Sequence, residues 1–380
     1  VSLTGSQMQQ VAVVWQLYLL TGSPLALGML GFFRVVPIVV FALGGGVVAD
    51  ALDRRRLMIV TQTVLALVSV AYAALAYANR TTPAAIYALA FLAGAATAFD
   101  NPARQALVPR LVDRDQLPNA LSLYATVWQV ATIAGPAAGG AVLALGGVTP
   151  IYVLDVLSFG AVIAALLAMK HRHVGLGASQ ISAKAAVDGL RFIRHTPLIW
   201  STMLLDFAAT FFAGSMLLLP IFADQLLKVG PRGLGFLYAA QPVGAALTGA
   251  VLSVLHAPRR RGAAVLWAVG IYGAAITVFG LSPWFWLSFL LLAVSGAADT
   301  VSMVIRQTLR QTLTPDELRG RMTSVNMIFF MGGPQLGEVE AGAVAKLLGV
   351  RFSVASGGVL CVVTAAAVAL LVPALRRYEE

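Results

Sequence analysis

Apolar stretches of about 20 residues recur from one end of this 380-residue chain to the other, and only 11% of its positions are charged against 59% apolar. A stretch of that length crosses a hydrocarbon core of roughly 30 Å as a helix, whose backbone hydrogen bonds close internally where water is absent. A water-soluble domain of this size would carry far more surface charge. The bilayer is therefore the solvent, and the chain reads as an all-α membrane protein. Twelve transmembrane helices are predicted, at about 5–21, 25–49, 57–78, 83–103, 120–145, 150–169, 198–223, 232–255, 263–281, 284–305, 321–345 and 350–373. No cleavable signal peptide is evident, and a few residues are expected ahead of Val1.

The net charge of +10 would point to nucleic acid in a soluble protein. Its distribution points elsewhere. On the twelve-span reading, 20 of the 26 basic residues fall on one side, among them Arg54, Arg55, Arg56, Arg104, Arg306, Arg310 and the run Arg259 to Arg261. The other side holds Arg80, Lys228, Arg232, Lys346 and Arg351. That asymmetry follows the positive-inside rule and predicts a multi-pass protein of the cytoplasmic membrane with both termini and the middle loop cytoplasmic. The single cysteine, Cys361, lies in the last span and is read as packing.

The chain repeats itself. Gly94-Ala95-Ala96 is followed by Arg104-Gln105 and Leu107, and Gly296-Ala297-Ala298 by Arg306-Gln307 and Leu309, at an offset of 202. Pro24, Leu27, Gly28 and Leu30 correspond to Pro231, Leu234, Gly235 and Leu237, at 207; Gly135-Pro136 and Gly139 correspond to Gly333-Pro334 and Gly337, at 198. Three matches in one order describe a duplication, with halves at 1–170 and 198–380 joined by 171–197. Six spans separate equivalents, so both halves have the same orientation, and in proteins of this build the substrate sits at mid-depth between them. In the joint, Ala183, Ala186, Val187, Leu190 and Ile193 share one helical face and Lys184, Asp188, Arg191 and Arg194 the other, which suits a helix in the headgroup region; a plain tether is the alternative.

After the second span, Gly46-Val47-Val48-Ala49-Asp50-Ala51-Leu52-Asp53-Arg54-Arg55 resembles the cytoplasmic signature of the major facilitator superfamily, with Asp53 where the family usually has Gly. The resemblance implies a fold of two six-helix halves related by a parallel repeat. It also implies a cytoplasmic latch of Gly46, Asp50, Arg54 and Arg55, with Asp100 and Arg104 closing the network. A topology-setting basic loop is the plainer alternative. Gly135-Pro136-Ala137-Ala138-Gly139-Gly140 resembles the motif of the exporting, proton-exchanging branch, except that Ala131 replaces its leading Gly; Gly135, Pro136, Gly139 and Gly140 would form a tight, bendable seam. The stretch from Phe99 to Val112, with Leu117, Asn119 and Ala120, and Asp188-Gly189-Leu190-Arg191-Phe192-Ile193-Arg194 are similar to the enterobactin-exporter and macrolide-efflux group. That resemblance spans the chain and implies export of amphipathic siderophores or drugs in exchange for protons. Ala88 to Ala98, however, lacks the Arg that many proton-coupled exporters carry there.

A charge within a span costs about 2.5–3.5 kcal/mol on insertion scales, so each is a functional candidate. Arg34, Asp206 and Asp299 lie well inside the second, seventh and tenth spans, with Gln241 the repeat equivalent of Arg34. Glu338 and Glu340 are two residues apart on the eleventh and point nearly opposite ways. Gln9 and Gln16, seven apart, share a face of the first span and suit either hydrogen bonding to a substrate or a packed polar pair between helices. These residues are the expected substrate and proton cavity, with Arg34 the expected partner of a titrating carboxylate; Asp155, on the sixth span, is read as structural. No G-x-x-x-x-G-K-[ST] occurs, and His171, His173, His195 and His256 all fall in loops, so the reading excludes ATP hydrolysis by this chain and an embedded enzyme. It calls for no cofactor and no metal. Its partners are a small amphipathic substrate, protons and the lipid bilayer, with no nucleic acid, and the protein is expected to be a monomer. A lysolipid or metabolite facilitator or importer of the same fold is the alternative.

Overall fold

Proline opens many of the helices, as suits a residue with a helical φ and no N–H to leave unpaired. In the computed structural model, Pro24, Pro83 and Pro197 are each the first residue of a long helix. The structure describes residues 2–51, 53–107, 111–113, 115–169, 194, 196–214, 216–254 and 260–378. Among them are twelve long helices and no strand: α1 Ser2–Thr21, α2 Pro24–Ala51, α3 Arg54–Tyr77, α4 Pro83–Leu107, α5 Leu117–Gly146, α6 Thr149–Ala168, α7 Pro197–Phe212, α8 Gly230–Val254, α9 Arg261–Leu281, α10 Phe285–Leu313, α11 Asp316–Leu348 and α12 Val350–Leu371. The expected headgroup helix of 171–197 falls almost wholly outside the described residues.

Ten of the helical stretches are long and apolar enough to cross a membrane. The other two long helices are diluted by polar residues: α1 by Gln7, Gln9, Gln10 and Gln16, and α11 by Glu338, Glu340 and Lys346. Large apolar side chains point outward, among them Leu145, Trp267, Trp286 and Leu371, as lipid requires and water would penalise.

Two boundaries differ from expectation. The tenth helix continues eight residues past 305, to Leu313, because Arg306 and Arg310 find buried partners instead of entering a loop. The seventh span is broken: α7 stops at Phe212, and after Gly214 the chain resumes as short turns, Met216–Leu218 and Leu219–Ile221, then a π-helical turn at Phe222–Leu226. Irregular backbone at membrane depth is tolerated only where protein covers it. Leu217 to Ala223 are accordingly buried, with the Phe222 ring stacked 4.7 Å from that of Phe279 on α9.

The chain divides into two compact units. One comprises Val1–Gly22, Phe32–Ile181 and Gly230–Ala239; the other comprises Ser23–Gly31, Ser182–Val229 and Ala240–Glu380. The opening turns of α2 thus belong with the second unit and those of α8 with the first. Where α5 turns into α6, Gly147 has φ +73°, and 202 residues on, between α11 and α12, Gly349 has φ +93°. Both need the left-handed backbone that glycine adopts without strain.

Candidate functional site

Glycine brings the helices close enough for polar side chains to meet. In the first unit a Cβ added at Gly135 would lie 2.5 Å from Cβ of Gln7, and one at Gly139 would lie 3.1 Å from Cα of Met8, so α5 runs against α1 along the predicted seam. A Cβ at Gly140 would lie 2.8 Å from Cα of Gly235, and one at Gly235 2.5 Å from the carbonyl oxygen of Pro136. The second unit repeats this crossing. A Cβ at Gly342 would lie 2.9 Å from Cα of Gly28, and one at Gly28 2.7 Å from the carbonyl oxygen of Glu338. The tertiary correspondence of Gly140 with Gly342 is therefore 202, whereas the Gly-Pro pair recurs at 198. Four residues make one turn, so both registers present the same helical face.

The expected latch is described only in part. The side chains of Asp50 and Arg54 lie outside the described residues, as does that of Gly46's neighbourhood on α2. Asp53, the departure from the family pattern, caps α3: its Oδ1 accepts from the backbone N–H of Arg55 at 2.9 Å and of Arg56 at 3.2 Å. Arg55 reaches the last turn of α6, donating to the carbonyls of Leu166 at 2.5 Å and Leu167 at 2.8 Å, where a helix's unpaired carbonyls favour a cation. Asp100 is buried on α4. It accepts from Thr61 at 2.7 Å, from Gln62 at 2.9 Å and from Arg104 Nη2 at 2.8 Å. Beneath it Leu57, Met58, Ala103, Leu107 and Leu166 form an apolar layer that ties α3, α4 and α6 together.

The second unit keeps the duplicated arginine and moves its acid to another helix. Arg306, the equivalent of Arg104, is 2% exposed; its Nη2 lies 2.9 Å from Asp206 of α7 and 3.6 Å from Asp299. Arg310 Nη1 lies 3.6 Å from the other oxygen of Asp206. The residue at Asp100's equivalent position is Ser302, a buried hydroxyl with no hydrogen-bond partner among the described residues; Arg306 Nε and Nη1 likewise have none. Buried Asp206 lies against both guanidinium groups, and half-exposed Asp299 adds a second carboxylate, so the cluster ties α7 to α10. Sequence reading placed Arg306 and Arg310 in a cytoplasmic loop and missed them here. The signal was present: Asp299, Arg306 and Arg310 follow at spacings of seven and four, which put them on one helical face.

The remaining candidates have separate settings. Gln9 Nε2 donates to Ser69 of α3 at 2.6 Å, and Gln16 Nε2 to Thr81 at 3.0 Å while its oxygen accepts from Tyr152 at 2.7 Å. Both glutamines thus bridge helices of the first unit. Gln241 Nε2 donates to Ser295 of α10 at 3.0 Å, where Gly296 lets α10 approach the α8 backbone at Gln241. Glu338 faces the first turns of α2, since a Cβ at Gly31 would lie 2.6 Å from its Oε2. Glu340 is half-buried two residues on. Arg34 is half-buried in α2 and, among the described residues, has no ion pair or side-chain hydrogen bond; a Cβ at Gly94 of α4 would lie 2.7 Å from its carbonyl oxygen. Cys361 is buried in the core of α7, α9, α10 and α12, its Sγ 3.8 Å from the carbonyl of Val269. Among the described residues no three His, Cys, Asp or Glu come together as a metal site.

Comparison with known proteins agrees with this architecture. Residues 1–380 match the family described as transmembrane secretion effector. The enterobactin exporter EntS of Escherichia coli O1:K1 / APEC is 26% identical over 382 residues, covering 100% of this chain and 91% of the relative; that of Shigella boydii serotype 18 shows the same identity and coverage. A bacterial homologue of the human lysosomal transporter Spinster, in an inward-facing and occupied conformation, superposes with a TM-score of 0.77 at 13% identity, covering 100% of this chain and 96% of that one. A bacterial homologue of the iron transporter ferroportin superposes with a TM-score of 0.71 at 16% identity, covering 96% and 95%. Fold and relatives are those of membrane transporters, not enzymes.

Proposed function

The chain belongs to the transmembrane secretion effector family, on the major facilitator fold, and on that premise we propose that it exports amphipathic small molecules, of the siderophore or drug kind, in exchange for protons. Its halves, 1–170 and 198–380, alternate between inward- and outward-open states in the cytoplasmic membrane, with the segment 171–197 and both termini cytoplasmic. The protein acts as a monomer.

The observation that carries the reading is Arg34. Ten residues into α2 it lies roughly 15 Å from that helix's outer end at 1.5 Å per residue, and among the described residues it has no ion pair or side-chain hydrogen bond, whereas Arg104 and Arg306 are each paired. A guanidinium stays charged at such depth and needs an acidic or carbonyl group. An acidic function on the substrate supplies one. The relatives named as enterobactin exporters support a substrate of that kind.

Everted membrane vesicles energised to an acid interior test this with iron-free enterobactin as probe. Accumulation that collapses with a protonophore is expected, and Arg34→Gln, which copies Gln241, should lower it about tenfold, equivalent to ~1.4 kcal/mol of lost interaction, while the protein still inserts and folds. Accumulation indifferent to the protonophore removes proton coupling. Uptake by right-side-out vesicles instead, with enterobactin or a lysophospholipid, makes the protein a facilitator or importer. Orientation has its own test: a cysteine at exposed Arg80 should react with an impermeant maleimide added to intact cells and one at exposed Asp115 should not. The reverse pattern overturns the cytoplasmic placement of the termini. Native Cys361 is buried and contributes little background.

A further inference from the structure

Of the aspartates at 100, 155, 206 and 299, three are ion-paired with an arginine. Among the described residues Asp155 of α6 has no such partner. It is fully buried, six residues and roughly 9 Å from the outer end of its helix at 1.5 Å per residue, and the groups around its carboxylate are hydroxyls. Ser69 of α3 lies 2.8 Å from Oδ2, and Ser158 lies 3.3 Å from Oδ1. The α1 backbone closes over this group at Gly5, where a Cβ would lie 2.5 Å from Ser158 Oγ and 2.7 Å from Asp155 Oδ1.

Each of two serines has one hydrogen and two acceptors within reach. The Ser69 hydroxyl reaches Asp155 Oδ2 or the carbonyl of Leu65 at 3.1 Å; the Ser158 hydroxyl reaches Asp155 Oδ1 or the carbonyl of Asp155 itself at 2.8 Å. With the carboxyl ionised, both hydroxyls turn toward it. With the carboxyl protonated, its new O–H donates to Ser69 Oγ, and the two serines turn to the backbone carbonyls. Every hydrogen has an acceptor in both states without movement of a heavy atom. An ion pair with arginine, by contrast, serves only the charged form. Around this site the other titratable side chains are Tyr72 of α3 and Tyr152 of α6, stacked with centroids 5.2 Å apart, and Arg34 of α2 acts on Tyr72; the facing stretches of α1 (residues 2–13) and α5 (residues 131–146) hold no titratable residue.

We infer that Asp155 is the group that takes up and releases the exchanged proton, in a hydroxyl-lined site that α1 covers. The inference deepens the proton-coupled reading and rests on it. A proton arriving from the outer side forms the Oδ2–H bond, and departure of α1 from α6 opens the carboxyl to water for its release. Gln9, which donates to Ser69, links the site to the face of α1 that carries Gln16.

Infrared difference spectroscopy of the purified full chain, free of substrate, tests the site. On going from alkaline to acid pH the wild type should gain the carbonyl band of a protonated carboxyl, a gain that is missing in Asp155→Asn. Absence of the band from the wild type, or its persistence unchanged in Asp155→Asn, overturns the inference. Should Asp155→Asn fail to fold, Ser69→Ala and Ser158→Ala retain the carboxyl and must each shift the band; an unmoved band has the same overturning force. In everted vesicles, Asp155→Asn should lose gradient-driven enterobactin accumulation about tenfold, or ~1.4 kcal/mol, while enterobactin exchange without a gradient persists. Loss of both from a folded variant makes Asp155 structural and overturns the inference. A wild type indifferent to the gradient sinks the proton-coupled reading itself, whereas a gradient-driven Asp155→Asn beside a gradient-driven wild type sinks only the role of Asp155.

Discussion

Asp206→Asn is expected to lower the stability of the folded protein by about 3–5 kcal/mol, the usual consequence of removing one partner from a buried ion pair. Asp206 lies 2.9 Å from Arg306 and 3.6 Å from Arg310, and both arginine side chains are under 10% exposed. With the carboxylate gone, Arg306 keeps, among the described residues, only the ion pair with Asp299, 3.6 Å away and 47% exposed. Repulsion then adds to desolvation. Thermal unfolding in detergent measures the loss, and an unchanged midpoint would show that the cluster does not hold α7 to α10. Asp299→Asn should cost less than about 1 kcal/mol, because a half-exposed partner is screened and its removal leaves Asp206 in place. The double variant Asp206→Asn, Arg306→Gln should recover part of the loss, since the stranded cation is gone.

A valine at Gly140 is expected to arrest transport and to destabilise by about 1–3 kcal/mol, the range for overfilling a packed contact. Its Cβ would stand 2.8 Å from Cα of Gly235 and 2.6 Å from the carbonyl oxygen of Pro231, so backbone, not a flexible side-chain end, would have to yield. Small residues at such crossings are what let membrane helices approach closely. Gly342→Val meets the same obstacle at Gly28 and should behave alike. Gly160→Val is the control, because nothing lies within 4 Å of a Cβ there. Enterobactin accumulation and thermal midpoints for the three variants decide the matter; if Gly140→Val matches Gly160→Val, the crossing does not limit function.

Apolar periodicity of about 20 residues, the one-sided basic residues and the recurring Gly-Ala-Ala and Gly-Pro segments were enough to specify a duplicated all-helical membrane protein, because each is a local consequence of dissolving a helix in lipid. A residue without a side chain can mark where backbones meet, and Gly135, Gly139 and Gly140 lie against neighbouring helices. Which charges pair was not legible. Asp100 meets an arginine one turn along its own helix, a spacing that sequence displays, but Arg306 meets Asp206 a hundred positions away, on a helix whose rotation is set by packing. Hydropathy ended the tenth span at 305 because an arginine in lipid is costly, and it could not register that a buried carboxylate would offset that cost. The break in the seventh span after Phe212 was hidden likewise, since Leu217 to Ala223 are as apolar as any helix and only the protein packed around them makes their irregular backbone tolerable. The sequence alone determined what must be buried in lipid and in what order. Tertiary structure alone decided which polar groups face one another, because hydrogen bonds and ion pairs depend on distances of about 3 Å between residues that chain order leaves far apart.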